Sequence, residues 1–110
     1  MATPNLVNVS SVLPFTIAGA VTTSPTDVID VAADKVRKIN TIIISNVDGT
    51  NAADITVKVS VDNGSNCYAI ASTVSVPADA TLVVVDKNSQ VYLDETDLLQ
   101  LTASANSDLE

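Results

Sequence analysis

The chain has 110 residues, the length of a single domain that can bury a core of its own. Hydrophobic residues make up 46% of it but aromatic residues only 3%, so the core must consist of aliphatic side chains, which suits pleated sheets. The formal net charge of -8 repels phosphate backbones and anionic membranes and argues against nucleic acid as a partner. No apolar run of about 18 residues predicts a membrane span.

The first 26 residues differ from the rest of the chain. No ionisable side chain precedes Asp27, and a weak alternation of apolar residues indicates an extended segment that ends at Pro14. Disordered segments are usually charged and poor in aliphatic residues, so this segment favours a covered position, across its own sheet or as a strand added to a neighbouring subunit. We predict an extended N-terminal arm over residues 1–14, ahead of a domain over residues 15–110. Its predicted partner-binding side chains are Leu6, Val7, Val9, Val12 and Leu13.

The remainder of the chain reads as strands separated by turns. Val36–Asn46 is rich in β-branched residues, and Ile55–Val61 alternates apolar and polar side chains after a polar turn around Asp48 and Gly49. This pattern predicts a half-buried hairpin. Further strands are predicted at Asp27–Val31, Cys67–Val74, Thr81–Val85, Gln90–Leu93 and Leu98–Ser104, and the apolar run Thr81–Val85 is predicted to be buried.

The spacing of the turns indicates the fold class. Turn residues recur about every 8 to 12 residues, which is typical of a sandwich or barrel. The best helical candidate, Asp94–Gln100, is too short for more than one turn. The sequence therefore predicts an all-β protein, an antiparallel β-sandwich of jelly-roll-like type, with an extended N-terminal arm.

Residue types that carry catalysis are scarce. Histidine, the commonest general base and transition-metal ligand, is absent. Serine and threonine are abundant, but no Gly-x-Ser-x-Gly motif is present to activate one. Cys67 is the only cysteine, and its neighbours Asn66 and Tyr68 supply no cation that would lower its pKa, so we interpret it as a small, buried or half-buried residue. We expect no enzymatic activity and no cofactor.

Acidic residues in the loops permit one alternative. Asp94, Glu95 and Asp97, together with Asp79 or Asp86, could gather on one rim and bind Ca²⁺, which prefers about six to eight oxygen ligands. No Asp-x-Asp-x-Asp-Gly loop is present. Solvated turn residues are the favoured interpretation, and no metal site is predicted.

Lys35, Arg37 and Lys38 form the only basic cluster. In a strand, Lys35 and Arg37 would project from the same face, where they either keep an exposed strand from aggregating or pair with an acidic partner. We include all three among the predicted partner-binding residues. Tyr68 and Tyr92 are expected to cap an edge of the core.

Beyond the predicted arm, five segments follow in a characteristic order. A β-branched strand at Lys38–Asn46 precedes the alternating strand, a Val-Pro-Ala turn opens Val76–Val85, and an acidic turn in Tyr92–Asp97 comes before Leu101–Ala105. This order resembles small structural proteins of tailed bacteriophages, especially cyanophage-type myoviruses. Thr96 stands where similar sequences often place glycine in the acidic turn.

The resemblance implies a non-enzymatic virion component. The leading hypothesis is a capsid decoration (cement) protein that binds the outer surface of the head and stabilises it. It would bind the major capsid protein or other virion proteins and form a homo-oligomer such as a trimer. A chain with one cysteine and no basic N-terminal signal region would fold in the host cytoplasm. A neck, tail or fibre-base protein is an alternative within the virion, and a carbohydrate- or calcium-binding adhesion module is an alternative from another class.

Overall fold

The computed structural model of the protein describes residues 16–32, 35–86, 88 and 91–110. In these residues there is no helix, and the regular structure consists of antiparallel strands. The strands are β1 Thr26–Asp30, β2 Arg37–Ile39, β3 Ile42–Ser45, β4 Ala53–Ser60, β5 Tyr68–Val76, β6 Thr81–Val85, β7 Val91–Leu93 and β8 Leu98–Ala103.

Four strands form the larger layer, which we call the main sheet, in the order β1-β8-β4-β5. The central strand β4 alternates as predicted: Ile55 and Val57 are fully buried, whereas Thr56 and Lys58 are half-exposed. The alternation ends within β4, where Val59 is half-buried and Ser60 is buried, and Val61 beyond the strand is 66% exposed. The buried face of β4 is therefore shorter than its sequence pattern predicts.

A tight turn joins β4 to β5. Asn63 and Gly64 have φ angles of 58° and 90°, and the amide of Ser65 donates to the carbonyl of Asp62 at 3.4 Å. Positive φ at both central residues is the type I′ arrangement that favours Asn-Gly and matches the twist of a hairpin. The predicted chain reversal at this position is confirmed.

The second layer rests on two short antiparallel ladders, in which β2 pairs with β7 and β3 pairs with β6. We call the two ladders together the ribbon. The exposed residues Asn40 and Thr41 divide the predicted strand Val36–Asn46 into β2 and β3. The predicted hairpin of this segment with Ile55–Val61 is wrong, because β3 pairs with β6 while β4 pairs with β5 and β8.

Asn46 shows why the chain does not close that hairpin. Its side chain is buried; Nδ2 donates to the carbonyls of Val76 at 2.9 Å and Asn51 at 3.0 Å, and Oδ1 accepts from the amide of Asp48 at 2.9 Å. Its own amide donates to the carbonyl of Ala80 at 2.8 Å. Val76 ends β5 and Asn46 follows β3, so this one residue ties the ribbon to the main sheet. The polar loop after β3 therefore carries the chain from the ribbon to the main sheet.

Residues near the C-terminus extend the second layer. Leu109 forms bridges with Val21 and Asn46 and is fully buried. Ser45 and Glu110 exchange main-chain hydrogen bonds of 2.8 and 2.9 Å. The last residues therefore act as a further short strand beside β3.

A cluster of buried aliphatic side chains lies between the two layers. Its members come from both layers and from the short segments that flank them, and none is aromatic, as the composition predicts. They are Val21, Val31, Ile39, Ile44, Ala53, Ile55, Val57, Val76, Val85, Leu93, Leu99, Ala103 and Leu109.

The all-β antiparallel fold is confirmed and its two layers are sandwich-like, while the jelly-roll connection stays a prediction. The strands predicted at Asp27–Val31, Cys67–Val74 and Leu98–Ser104 correspond to β1, β5 and β8, and the run Gln90–Leu93 contains β7. The predicted burial of β6 is wrong in part, because only its last residue lies in the core. The ribbon has one face against the core and the other in solvent, so Thr81 and Val83 of β6 remain exposed.

The acidic turn between β7 and β8 holds a β-branched residue in the left-handed region. Thr96 has a φ of 64°, which threonine rarely adopts. Its amide donates to the carbonyl of Val31 at 2.9 Å, and the amide of Asp97 donates to the carbonyl of Asp94 at 3.1 Å. These bonds fix the turn beside the end of β1. The backbone thus has a shape that glycine adopts without steric cost.

Replacing Thr96 with glycine should stabilise the protein. Relief of left-handed strain, about 1–2 kcal/mol, outweighs the additional entropy that glycine loses, about 0.5–1 kcal/mol, so we expect the free energy of unfolding to rise by roughly 0.5–1 kcal/mol. Urea denaturation measures it. Glu95→Gly in the same turn is the control, because Glu95 is outside the left-handed region and glycine should destabilise there. A loss of stability in the Thr96 variant would contradict the interpretation.

Candidate interaction surface

The predicted arm falls outside the described residues. This applies to the arm boundary at residue 14 and to five of the predicted partner-binding side chains, so these stay predictions. They are Leu6, Val7, Val9, Val12 and Leu13.

The three basic residues of the predicted cluster are described, and the structure separates them. Lys35 is exposed and precedes β2, whose first residue is Arg37. The expectation that Lys35 and Arg37 share a strand face therefore does not apply. Arg37 is half-buried opposite Leu93, whereas Lys38 is exposed. Of the three, Lys38 is the residue that β2 presents to solvent.

Two cross-strand pairs on the solvent side of the ribbon form the candidate surface. Lys38 lies opposite Tyr92 in the ladder of β2 and β7, and Ile43 lies opposite Val83 in the ladder of β3 and β6. Tyr92, Ile43 and Val83 are each 53% exposed. We call these four residues the ribbon face. Single exposed apolar side chains are common on protein surfaces, whereas exposed apolar side chains that pair across a sheet are markers of an interaction site.

The two pairs differ in chemistry. The Lys38 Nζ atom lies 5.8 Å from the centroid of the Tyr92 ring, a cation–π distance. Such a contact is worth about 0.5–1 kcal/mol at an exposed site, and it holds the ring against its own strand pair. Ile43 and Val83 form a purely aliphatic pair. The ribbon face therefore presents an aliphatic pair on one ladder and a cation–aromatic pair on the other.

Sequence reasoning did not single out the aliphatic pair. Ile43 lies within a continuous β-branched run and Val83 within an apolar run, and neither run alternates. A continuous apolar run is the pattern of a strand buried on both faces. Which face stays open is decided by how many layers cover the ribbon, and no local pattern carries that information.

The two tyrosines cover less of the core than expected. Tyr68 is 62% exposed and Tyr92 more than half exposed, so both rings lie mainly in solvent. Cys67 is half-buried, as predicted, and its thiol donates to the Oε1 atom of Gln100 at 3.6 Å. None of these three side chains belongs to an enclosed polar site.

Two loop carboxylates are held by donors of their own loops. Asp62 accepts from the backbone amide and the side-chain amide of Asn66, each at 2.8 Å, and from the hydroxyl of Ser60 at 2.8 Å; these bonds lower its pKa. The pKa of Asp48 is also lowered, first by the backbone amide of Thr50 and then by the side chain of Asn51. These carboxylates stabilise turns.

The acids of the calcium alternative do not gather into a site. Asp97 accepts from the amide of Asp94 at 2.8 Å and Asp94 from the amide of Glu95 at 2.8 Å, so these side chains bond within their own turn. Across the part of the chain that the structure describes, no group of three or more acidic or cysteine side chains is placed to hold a metal ion.

No protein-family model, curated protein or solved structure matches the chain. The described residues also contain no helix of the length and apolarity that a bilayer crossing requires.

Asp62→Asn should remove part of the acid sensitivity of the protein. The folded pKa of Asp62 lies below its unfolded value, so its contribution to stability is present above the unfolded pKa and is lost as the pH falls through the folded pKa. We expect the variant to have a lower urea midpoint than the wild type at pH 7 and a similar midpoint in strong acid. Asp48→Asn should behave in the same direction, because its pKa is also lowered. A difference that is constant with pH would contradict this account.

Proposed function

We propose that the protein is a non-enzymatic structural component of a bacteriophage virion, a decoration protein that binds the outer surface of the head. The resemblance of its strand and turn order to small phage structural proteins supports this. The observation that carries the proposal is the ribbon face, in which the ladder of β3 and β6 exposes the pair Ile43 and Val83 and the ladder of β2 and β7 exposes Lys38 and Tyr92. The partner would be the major capsid protein or another protein of the shell.

The ribbon face suits a partner that repeats many times. It is small and contains one aromatic ring, whereas tight interfaces usually depend on several Trp, Tyr and Arg anchors. A shell presents the same site in many copies, so modest individual contacts add through avidity when the bound copies are linked. The proposal therefore requires weak binding of a single copy and stable binding of an array.

The predicted arm has a role in the same proposal. An uncharged segment that reaches over capsid subunits or sister copies would link neighbouring sites and cement the shell. Because the chain carries a net charge of -8, such links form most easily through segments that have no charge. The protein would fold in the host cytoplasm and assemble on the capsid surface.

The first test is localisation. Antibodies against the protein, labelled with gold and applied to virions of the phage that encodes it, should mark the head in electron micrographs. Label confined to the neck, tail or fibre base would contradict the decoration role, and particles without any label would contradict a virion component.

Deleting residues 1–13 should lower the copy number on heads; unchanged occupancy would contradict the cementing role.

Ile43→Asp tests the ribbon face itself. Burial of an aliphatic side chain of this size is worth about 1.5–3 kcal/mol, so a charge there should weaken binding of one copy to the heads by roughly tenfold or more. Val61→Asp is the matched control, since it adds the same charge at an exposed aliphatic residue outside the ribbon. Co-sedimentation of the folded variants with heads measures binding. Equal binding of both variants would show that the ribbon face is not the contact.

A further inference from the structure

The far edge of the main sheet is unpaired in the part of the chain that the structure describes. In the order β1-β8-β4-β5, β5 is the last strand, and its ladder partner is β4. Among the described residues, no strand pairs with its other side. β5 runs from Tyr68 to Val76 and is the longest strand of the described chain. Its outer backbone groups are a template for another strand.

The side chains of β5 are covered incompletely as well. Val74 lies opposite the buried Ile55, and Tyr68 lies opposite Val59, yet Val74 is 36% and Tyr68 62% exposed. Ile70 is also exposed. The ribbon therefore leaves the flank of the sandwich beside β5 uncovered. An added strand would gain apolar contacts there in addition to main-chain hydrogen bonds.

The usual devices that protect an edge strand are sparse in β5. Its sequence from Tyr68 to Val76 contains no charged residue and no proline. The register with β4 shifts twice, on either side of Val57; at the first shift the amide of Thr73 donates to the Thr56 hydroxyl at 3.0 Å, and Thr73 has a φ of 46°. Natural edge strands usually carry charges, proline or bulges against unwanted pairing. β5 keeps only the irregular register.

The N-terminal segment enters the fold at the opposite flank. Val21 bridges to Leu109, and the carbonyl of Thr22 accepts from the amide of Ala103 at 2.8 Å. The chain then enters β1, which is the other outer strand of the main sheet. The residues from 16 to 20, just ahead of this point, are all exposed. The segment before β1 and the open edge thus lie on opposite sides of the sheet.

The sequence of residues 1–13 matches the open edge in charge and apolar character. It has no ionisable side chain and supplies Leu6, Val7 and Val9 in an alternating stretch. With a net charge of -8, two copies of the chain repel each other. Two uncharged segments can meet without a like-charge cost between them.

We propose that β5 of one copy receives the segment Met1–Leu13 of a second copy as an added strand. Because the chain enters the main sheet at β1, on the flank opposite β5, the proposed contact is head-to-tail. Such a contact closes into a ring, for instance a trimer, or continues as a filament. The inference rests on the linking role of the arm in the proposed function, but its test needs no phage particle, so the two can fail separately.

Disulfide trapping between full-length copies tests the proposal. In a Cys67→Ser background, one copy carries Ser72→Cys on β5, and an isotopically labelled copy carries a cysteine in place of Asn5, Asn8 or Ser10 in turn. Cysteines cross-link only when their Cα atoms approach within about 7 Å. We expect mixed oxidation to give a disulfide between labelled and unlabelled copies for at least one arm position, several-fold above a receiver that carries Val61→Cys instead. Mass spectrometry identifies the linked peptides.

Two further variants separate the outcomes. Ile70→Lys in the receiver adds an edge charge and should abolish the cross-link while circular dichroism shows an unchanged fold. A single chain with both cysteines reports docking on its own sheet. A monomer with an internal disulfide, cross-links at Val83→Cys that equal those at Ser72→Cys, or no cross-link above the Val61→Cys control would each overturn the proposal.

Discussion

The buried side chain of Asn46 is the interaction on which the layered structure depends. It lies where the chain leaves the ribbon for β4, beside the point where β5 ends and the chain returns to the ribbon. Its Nδ2 group donates two hydrogen bonds, to the main-chain carbonyls of Val76 and Asn51, and its Oδ1 atom accepts one from the amide of Asp48. A buried carbonyl without a donor costs about 1–3 kcal/mol, so these contacts restrict which side chain the position accepts. One amide thereby bridges two layer crossings at one end of the aliphatic core.

This arrangement also explains which surfaces remain free. Asn46 and Leu109 together secure the inner part of the ribbon, with the last residues of the chain pairing beside β3. The strands β4 and β8 bury much of their length, whereas among the residues of β5 only Val76 is fully buried, so the flank of the described structure at β5 is the less covered one. The outer side of the ribbon faces solvent with Ile43 and Val83. The two proposed contacts, ribbon face to shell and arm to β5, use these two uncovered regions, and neither requires the turns that Asp48 and Asp62 hold in place.

Much of the fold follows from local sequence, and the layer pairing does not. The Asn-Gly turn after Asp62 requires positive φ, and the alternation of Ile55 and Val57 requires one buried face, so both are visible without a structure. The strand that pairs with β3 is not visible without a structure, because the β-branched composition of Val36–Asn46 suits pairing with any other β-branched run. The deciding residue, Asn46, is one of several turn asparagines in the sequence. The candidate site was predictable only at Lys38; Ile43 and Val83 lie in unbroken apolar runs, whose open side depends on the second layer.

The most direct test of the central claim is the pH dependence of an Asn46→Asp variant. A carboxylate at this buried position faces two carbonyl oxygens, which raises its folded pKa, so the variant should lose stability as the pH rises through that pKa. Asn106→Asp is the control, since the Asn106 Oδ1 atom only accepts, from the amide of Thr23 at 3.0 Å, and a carboxylate can do the same. In urea unfolding we expect a penalty of about 2–5 kcal/mol for Asn46→Asp at pH 7 that shrinks in acid. A penalty equal to that of Asn106→Asp at every pH would contradict the account.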